Sequence, residues 1–229
     1  MPGTAPSSQH PVPEYKPVTL DDILRFLKAN YAVLAVGAAV VVIVAAGLAM
    51  YVLQQRRNAE RASQMLLVAQ SPKQWEELLS QYPNAAVAPV ALLALASSQY
   101  GSGAYDQALA TYERFLAKYP RHMLALAAEL GKIQCQEGRG DIEAASNGYA
   151  RFVAMHSDHF LAPQALFGKA RCLQIMHRYP EARAIYEDFI AAHPKSEWVS
   201  QAEFAMRYLE RDIRAQRSSA GAKAPAGQP

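Results

Sequence analysis

Tyr105-Asp-Gln-Ala-Leu-Ala-Thr-Tyr112-Glu-Arg-Phe115-Leu-Ala-Lys-Tyr119-Pro120 returns 74 residues later as Tyr179-Pro-Glu-Ala-Arg-Ala-Ile-Tyr186-Glu-Asp-Phe189-Ile-Ala-Ala-His193-Pro194. Midway between them, Ile142 to Ser157 forms a weaker copy, so the interval is 37 residues and runs without a gap. A fixed period of this size marks an array in which each unit is one supersecondary element.

Laid out at 37 residues, one column holds Trp75, Tyr112, Tyr149 and Tyr186, and another Leu78, Phe115, Phe152 and Phe189. A third holds Tyr82, Tyr119, His156 and His193, followed by Pro83, Pro120, Ser157 and Pro194. Residues three and four apart share a helix face, so these aromatics define the buried face of one helix per unit, which Pro then ends. Ala108, Ala145 and Ala182 leave room for a crossing helix. A bulky residue followed by a small one, Leu93-Ala94, Leu130-Gly131, Phe167-Gly168 and Phe204-Ala205, marks the other helix of each unit as closely packed. A helix pair of this kind cannot bury its own apolar face, so units stack and share a continuous core.

The phrase Tyr-x-x-Ala-x-x-x-Tyr-x-x-Phe-x-x-x-Tyr/His-Pro resembles the tetratricopeptide repeat family over residues 70 to 210. That resemblance implies an all-α solenoid of helix pairs. The unit is longer than the family's because of the turns Gly101-Ser-Gly103 and Gly138-Arg-Gly140. The middle copy departs furthest, with Ile142, Ser157 and Gly148. A last first-type helix, from about Glu197 to Arg217, has no partner and is expected to cap the array with a polar face.

Ahead of the array, residues 1–18 carry five prolines among small polar residues and form an expected disordered cytoplasmic tail. Thr19 with Asp22 has the form of a capping box, and Leu20, Ile23, Leu24 and Leu27 follow at helical spacing, so residues 19–30 form a short amphipathic helix. No charged residue occurs from Ala29 to Gln55. Tyr31 to Leu53 gives a helix of about 34 Å, enough to cross a hydrocarbon layer of about 30 Å. We therefore expect a transmembrane helix over 31–53, a repeat domain with its capping helix over 54–217, and a disordered tail over 218–229. Lys16, Arg25 and Lys28 precede the span and Arg56, Arg57 and Arg61 follow it, so positive charge alone does not orient it.

A formal charge of +3 with no basic stripe excludes a nucleic-acid surface. Cys135 and Cys172 are 37 apart, at equivalent places on stacked helices, and helices pack about 8–10 Å apart, beyond ordinary disulfide reach. His122 with His159, and His156 with His193, recur in the same way, which spaces equivalent rings too widely for one ion. No nucleophile–base pair, phosphate loop or carboxylate pair stands out, so we expect neither an enzyme nor a cofactor.

Binding remains, and the family resemblance implies that first helices line a concave groove. Counted from Leu93 by the family's positions, the groove takes Ala91, Leu95, Ser98 and Gln99, then Ala128, Lys132, Cys135 and Gln136, then Ala165, Lys169, Cys172 and Leu173. Of these, Leu95, Gln99, Lys132, Gln136, Lys169 and Leu173 are the candidate partner-binding residues, and the two lysines favour an acidic or C-terminal group.

Ile23-Leu-Arg-Phe-Leu-Lys-Ala-Asn-Tyr-Ala-Val-Leu-Ala-Val-Gly37, with Arg61-Ala-Ser63 after the span, resembles the ancillary subunits of the bacterial SecYEG translocon. That resemblance implies a single-pass inner-membrane protein with a cytoplasmic N-terminus and a periplasmic repeat domain. It also implies contact with translocon subunits and periplasmic chaperones and handling of secretory clients. The Tyr-Pro endings resemble those of outer-membrane assembly and Tol–Pal-associated proteins, which implies instead a cell-envelope coordinator.

Overall fold

The structure, a computed structural model, describes residues 19–223. The tail expected over 1–18 lies outside them, as does the end of the C-terminal tail. Contacts divide the chain into two units, Met1–Arg57 and Asn58–Pro229. Among the described residues every element is a helix.

In the first unit, α1 (Leu20–Ala29) starts where the Thr19 N–H and hydroxyl both donate to the Asp22 carboxylate, at 3.1 and 2.7 Å. None of its residues is buried, so Leu20, Ile23, Leu24 and Leu27 present their apolar stripe outward. Asn30 ends it, its N–H and its side-chain amide both donating to the Phe26 carbonyl. α2 (Tyr31–Val68) follows as one unbroken helix, and it is long and apolar enough to cross a membrane. Its apolar side chains from Tyr31 to Leu53 are exposed, a surface that water would penalise and a hydrocarbon layer would not.

The second unit is an α-solenoid. The last turns of α2 supply its first helix, with Ala62 fully buried and Met65 and Leu66 packed on the core. Then come α3 (Pro72–Gln81), α4 (Ala88–Gly101), α5 (Tyr105–Lys118), α6 (Ala125–Gly138), α7 (Ile142–Met155), α8 (Ala162–Ile175), α9 (Tyr179–Ala192) and α10 (Val199–Lys223). From α3 on, each helix packs on the one after it, and α4 touches α6 as α6 touches α8. First-type helices are thus α4, α6, α8 and α10, and second-type helices α3, α5, α7 and α9.

The recurring residues explain the recurring shape. Tyr149, Tyr186, Phe115 and Phe152 are among the largest fully buried side chains, and each such ring contributes about 1.5–3 kcal/mol by leaving water. Each second-type aromatic lands on the small residue of the next unit. The Tyr112 ring covers Gly131 and the Tyr149 ring covers Gly168 so closely that a Cβ there would sit within 2.5 Å of a ring carbon. The turn inside each unit needs a left-handed residue. Gly103 and Gly140 supply it at φ 78° and 88°, and His177 takes the same place at φ 59°.

His122 and His159 each accept the backbone N–H two residues on, from Leu124 and Leu161, through Nδ1 at 3.1 and 3.2 Å. Ser196, 37 residues after His159, accepts the Trp198 N–H through its hydroxyl. This column fastens the turn that enters each first helix. His156 and His193 pack at steep ring angles against Phe152 and Phe189, as Tyr119 does against Phe115.

One boundary differs. α10 continues past Arg217 to Lys223, into the segment expected as a tail. Ser218 to Lys223 holds no proline, and Pro225 is the first residue that bars a helix.

Candidate functional site: an uncharged groove between first helices

The first helices α4, α6 and α8 enclose a concavity of about 370 Å³. Its wall follows the 37-residue register. Val90, Leu93, Ala94 and Ser97 of α4 are matched on α6 by Ala127, Leu130, Gly131 and Gln134. Leu161 and Gln164 close it at the start of α8, and Tyr112, lying on Gly131, forms part of its floor. Burial holds the Tyr112 hydroxyl neutral, with its pKa pushed up to about 12. No charged side chain lines the concavity.

This is a different face from the one expected. Ala91, Leu95, Ala128, Ala165 and Leu173 are buried in the core and are not among the residues that line this concavity. Gln99 is buried too, and its Oε1 accepts a hydrogen bond from the Thr111 hydroxyl of α5 at 2.7 Å. Gln136 is half-buried. The groove lies one residue earlier on each helix, at 90, 94 and 97 instead of 91, 95 and 98. One residue turns a helix by about 100°, which moves a side chain from core to concavity.

The lysines change meaning with it. Lys132 Nζ is 3.1 Å from Glu113 of α5 and is outside the groove wall. Lys169 lies near Glu181, whose carboxyl is held below its ordinary range first by Arg178 and further by Lys169. Neither stands over the concavity as a cation for an acidic ligand.

Arg171, in the register of Ser97 and Gln134, is likewise engaged. Its Nε and Nη2 donate to the two Glu137 oxygens at 3.0 Å each, and the Tyr149 hydroxyl donates to Oε2 at 2.5 Å. Burial and the Glu137 hydrogen bond together push the Tyr149 pKa far up. α6, α7 and α8 are thereby joined by one charged fork.

Cys135 and Cys172 are fully buried and not bonded to each other. Burial pushes both thiols up to about 11, which suits packing and not nucleophilic attack.

Val90, Ser97, Gln134 and Gln164 escaped the sequence reading. The signal for them was present in the bulky–small column, because Leu93-Ala94 and Leu130-Gly131 themselves form the groove floor.

The family described as outer membrane lipoprotein (YfiO) matches residues 50–126, and a tetratricopeptide repeat family matches residues 164–196. No curated protein matches the chain. Among solved structures, a tetratricopeptide repeat protein from Parabacteroides merdae is similar at TM-score 0.50 and 15% identity, covering 70% of this chain. The chain spans 61% of that protein's length. A putative kinesin light chain with nearly identical repeats from Podosopora anserina is similar at TM-score 0.48 and 15% identity, over 77% of this chain and 98% of that one. The fold is the tetratricopeptide-like α-solenoid that the resemblance of the repeated phrase implied.

Proposed function

We propose that this chain is a membrane-anchored scaffold of the bacterial cell envelope that binds other proteins through the groove of α4, α6 and α8. Its class is the envelope coordinator, of the outer-membrane protein assembly or Tol–Pal-associated kind. The observation that carries this reading is the match to the outer membrane lipoprotein family over residues 50–126, which covers the end of α2 and the array through α5 and into α6. The anchor here is the apolar helix Tyr31 to Leu53, with the N-terminus cytoplasmic and the repeats periplasmic. The partners are proteins and not nucleic acid, and the groove offers no catalytic group.

A second reading, an ancillary role at the Sec translocon with periplasmic chaperones and secretory clients as partners, is favoured by Ile23 to Gly37. A photo-crosslinking amino acid at Ser97, an exposed groove position, separates the two in living cells. Crosslinks to outer-membrane assembly or Tol–Pal components are expected, translocon subunits would move the chain to the second reading, and cytoplasmic proteins alone would overturn both. Topology is checked by protease protection in spheroplasts. Labelling of Cys135 or Cys172 would not serve, since both are buried in the folded repeat.

A further inference from the structure

We infer that α1 lies flat on the membrane surface beside the foot of α2. Its apolar stripe sinks among the lipid acyl chains just below the headgroups, and its charged face turns to water. This rests on Tyr31 to Leu53 crossing the membrane and not on which proteins the groove binds.

The two faces of α1 differ in what they leave unsatisfied. At about 100° per residue, Leu20, Ile23, Leu24 and Leu27 fall on one side of the helix and Asp21, Asp22, Arg25 and Lys28 on the other. The charged side is complete in itself. Asp22 accepts from both the N–H and the hydroxyl of Thr19. The two acids stand in the first turn and Lys28 in the last, where the helix dipole favours each, and two acids balance two bases. The apolar side is not complete, because its four side chains are 45–79% exposed and Phe26 at its rim is 63% exposed. A helix of ten residues is marginal in water, so α1 itself needs a surface for that stripe.

The course of the chain puts one such surface within reach. Tyr31 to Leu53 already fills a hydrocarbon layer of about 30 Å, so α1 begins where that layer ends. Asn30 is the joint. The backbone ladder of α1 closes with the Asn30 N–H on the Phe26 carbonyl, and that of α2 opens with the Leu34 N–H on the Asn30 carbonyl. The Asn30 side-chain amide donates to the Phe26 carbonyl as well, so α1 ends there and need not continue the axis of α2. Standing upright, α1 would carry Leu20 about 15 Å clear of the layer and into water. Lying flat, it brings all four stripe residues to the acyl chains and places Phe26 and Tyr31 at the depth where aromatic rings are favoured. A second copy of the chain is a poorer occupant, since a stable protein interface takes about 800 Å² from each partner, more than one face of so short a helix presents. With no net charge on its polar face, α1 is held by apolar burial and not by anionic headgroups.

The test uses the full chain in nanodiscs of phosphatidylcholine, which leave both membrane faces open to solutes. An environment-sensitive fluorophore is placed on Leu24→Cys in the stripe, on Arg25→Cys opposite it, or on Ile43→Cys in the span. Cys135 and Cys172 are buried and stay unlabelled in the folded chain. Lipid with a nitroxide near the headgroup should quench the Leu24 probe about threefold more than the Arg25 probe, and aqueous iodide should do the reverse. Leu20→Ser, Ile23→Ser and Leu27→Ser together should abolish lipid quenching at Leu24 and leave the melting midpoint of the repeats unchanged, since no residue of α1 is buried. Added phosphatidylglycerol or raised salt should alter none of this. Equal quenching of the Leu24 and Arg25 probes, or a Leu24 probe shielded from both quenchers, would overturn the inference. So would lipid quenching that survives the triple variant, needs phosphatidylglycerol or is abolished by salt. The Ile43 probe separates this from failure of the anchor. If lipid with a nitroxide deep in the acyl chain quenches it, α2 stays in the membrane and only the placement of α1 falls; if not, both fall.

Discussion

Gly168→Ala should destabilise the repeat domain although it replaces a helical glycine by the best helix former. A Cβ at this position would lie 2.5 Å from Tyr149 Cζ and 2.7 Å from both neighbouring ring carbons. Non-bonded carbons settle at about 3.5–4.0 Å, so the ring must withdraw by about 1 Å. It has little room to do so. Tyr149 is fully buried, and its hydroxyl is tied at 2.5 Å to Glu137, which also holds the Arg171 fork. Overpacking of this kind costs about 1–3 kcal/mol. Loosening the phenol from Glu137 costs about 1 kcal/mol more, and the helix-propensity gain of Ala over Gly returns about 1 kcal/mol. The net is a loss of about 1–3 kcal/mol, and at about 2–4 °C per kcal/mol the thermal midpoint should fall by about 2–12 °C.

Circular dichroism melting of the purified chain in detergent measures this. Gly131→Ala should cost less, because the Tyr112 hydroxyl makes no hydrogen bond among the described residues and its ring is freer to shift. Gly101→Ala, where no atom lies within 4 Å of the added carbon, should be neutral or stabilising. A Gly168→Ala midpoint at or above the parent's would refute the ring-on-glycine account of how units stack.

Other perturbations carry their own signs. Glu137→Gln removes the acceptor shared by Arg171 and Tyr149 and should cost about 1–2 kcal/mol in urea unfolding, discounted because Arg171 is half-exposed. His177→Gly relieves a left-handed φ of 59° where its two register mates are glycine. It forfeits the His177–Tyr179 contact, and the balance should be a gain of about 0.5–1 kcal/mol, read as a higher midpoint. Alkaline stability should fall between about pH 9 and 11. There the unfolded chain has released the Cys135 and Cys172 protons while the folded chain, with both thiols raised to about 11, keeps them, so deprotonation favours unfolding. The double variant Cys135→Ala, Cys172→Ala should show a shallower decline over that window, and an unchanged slope would sink the assignment.

Much of the architecture was legible because repetition magnifies a weak signal. A single Tyr-x-x-Phe is a common helical pattern, but three copies at 37 residues, with Trp75 and Leu78 in the same register, identify equivalent positions, and burial of Tyr112, Tyr149 and Tyr186 follows from that equivalence. The same equivalence groups His122 with His159 as fasteners of turns, His156 with His193 as partners of Phe152 and Phe189, and the cysteines as core residues. The Glu137–Arg171–Tyr149 fork was not legible, because it occurs once. Its residues sit in columns that otherwise hold Tyr100 and Gln174, Ser97 and Gln134, and only folding brings one carboxylate to both partners. α10 overran its expected end because small polar residues permit a helix without requiring it.

The groove shows where periodicity stops. A repeat length states which residues are equivalent but not which way any of them faces, and at about 100° per residue an error of one exchanges core for surface. Here the missing phase was carried by the glycines. Gly131 and Gly168 have to face the aromatic of the preceding unit, since only an absent side chain admits a ring at that distance. α4 touches α6 and α6 touches α8, so the residues beside those glycines look across the concavity at their own register mates. Leu130 and Gln134 flank Gly131 on that face, whereas Lys132 next to it turns away to Glu113. The one-residue difference between Gly131 and Lys132 is thus the difference between a residue that lines the concavity and one paired with Glu113 outside it.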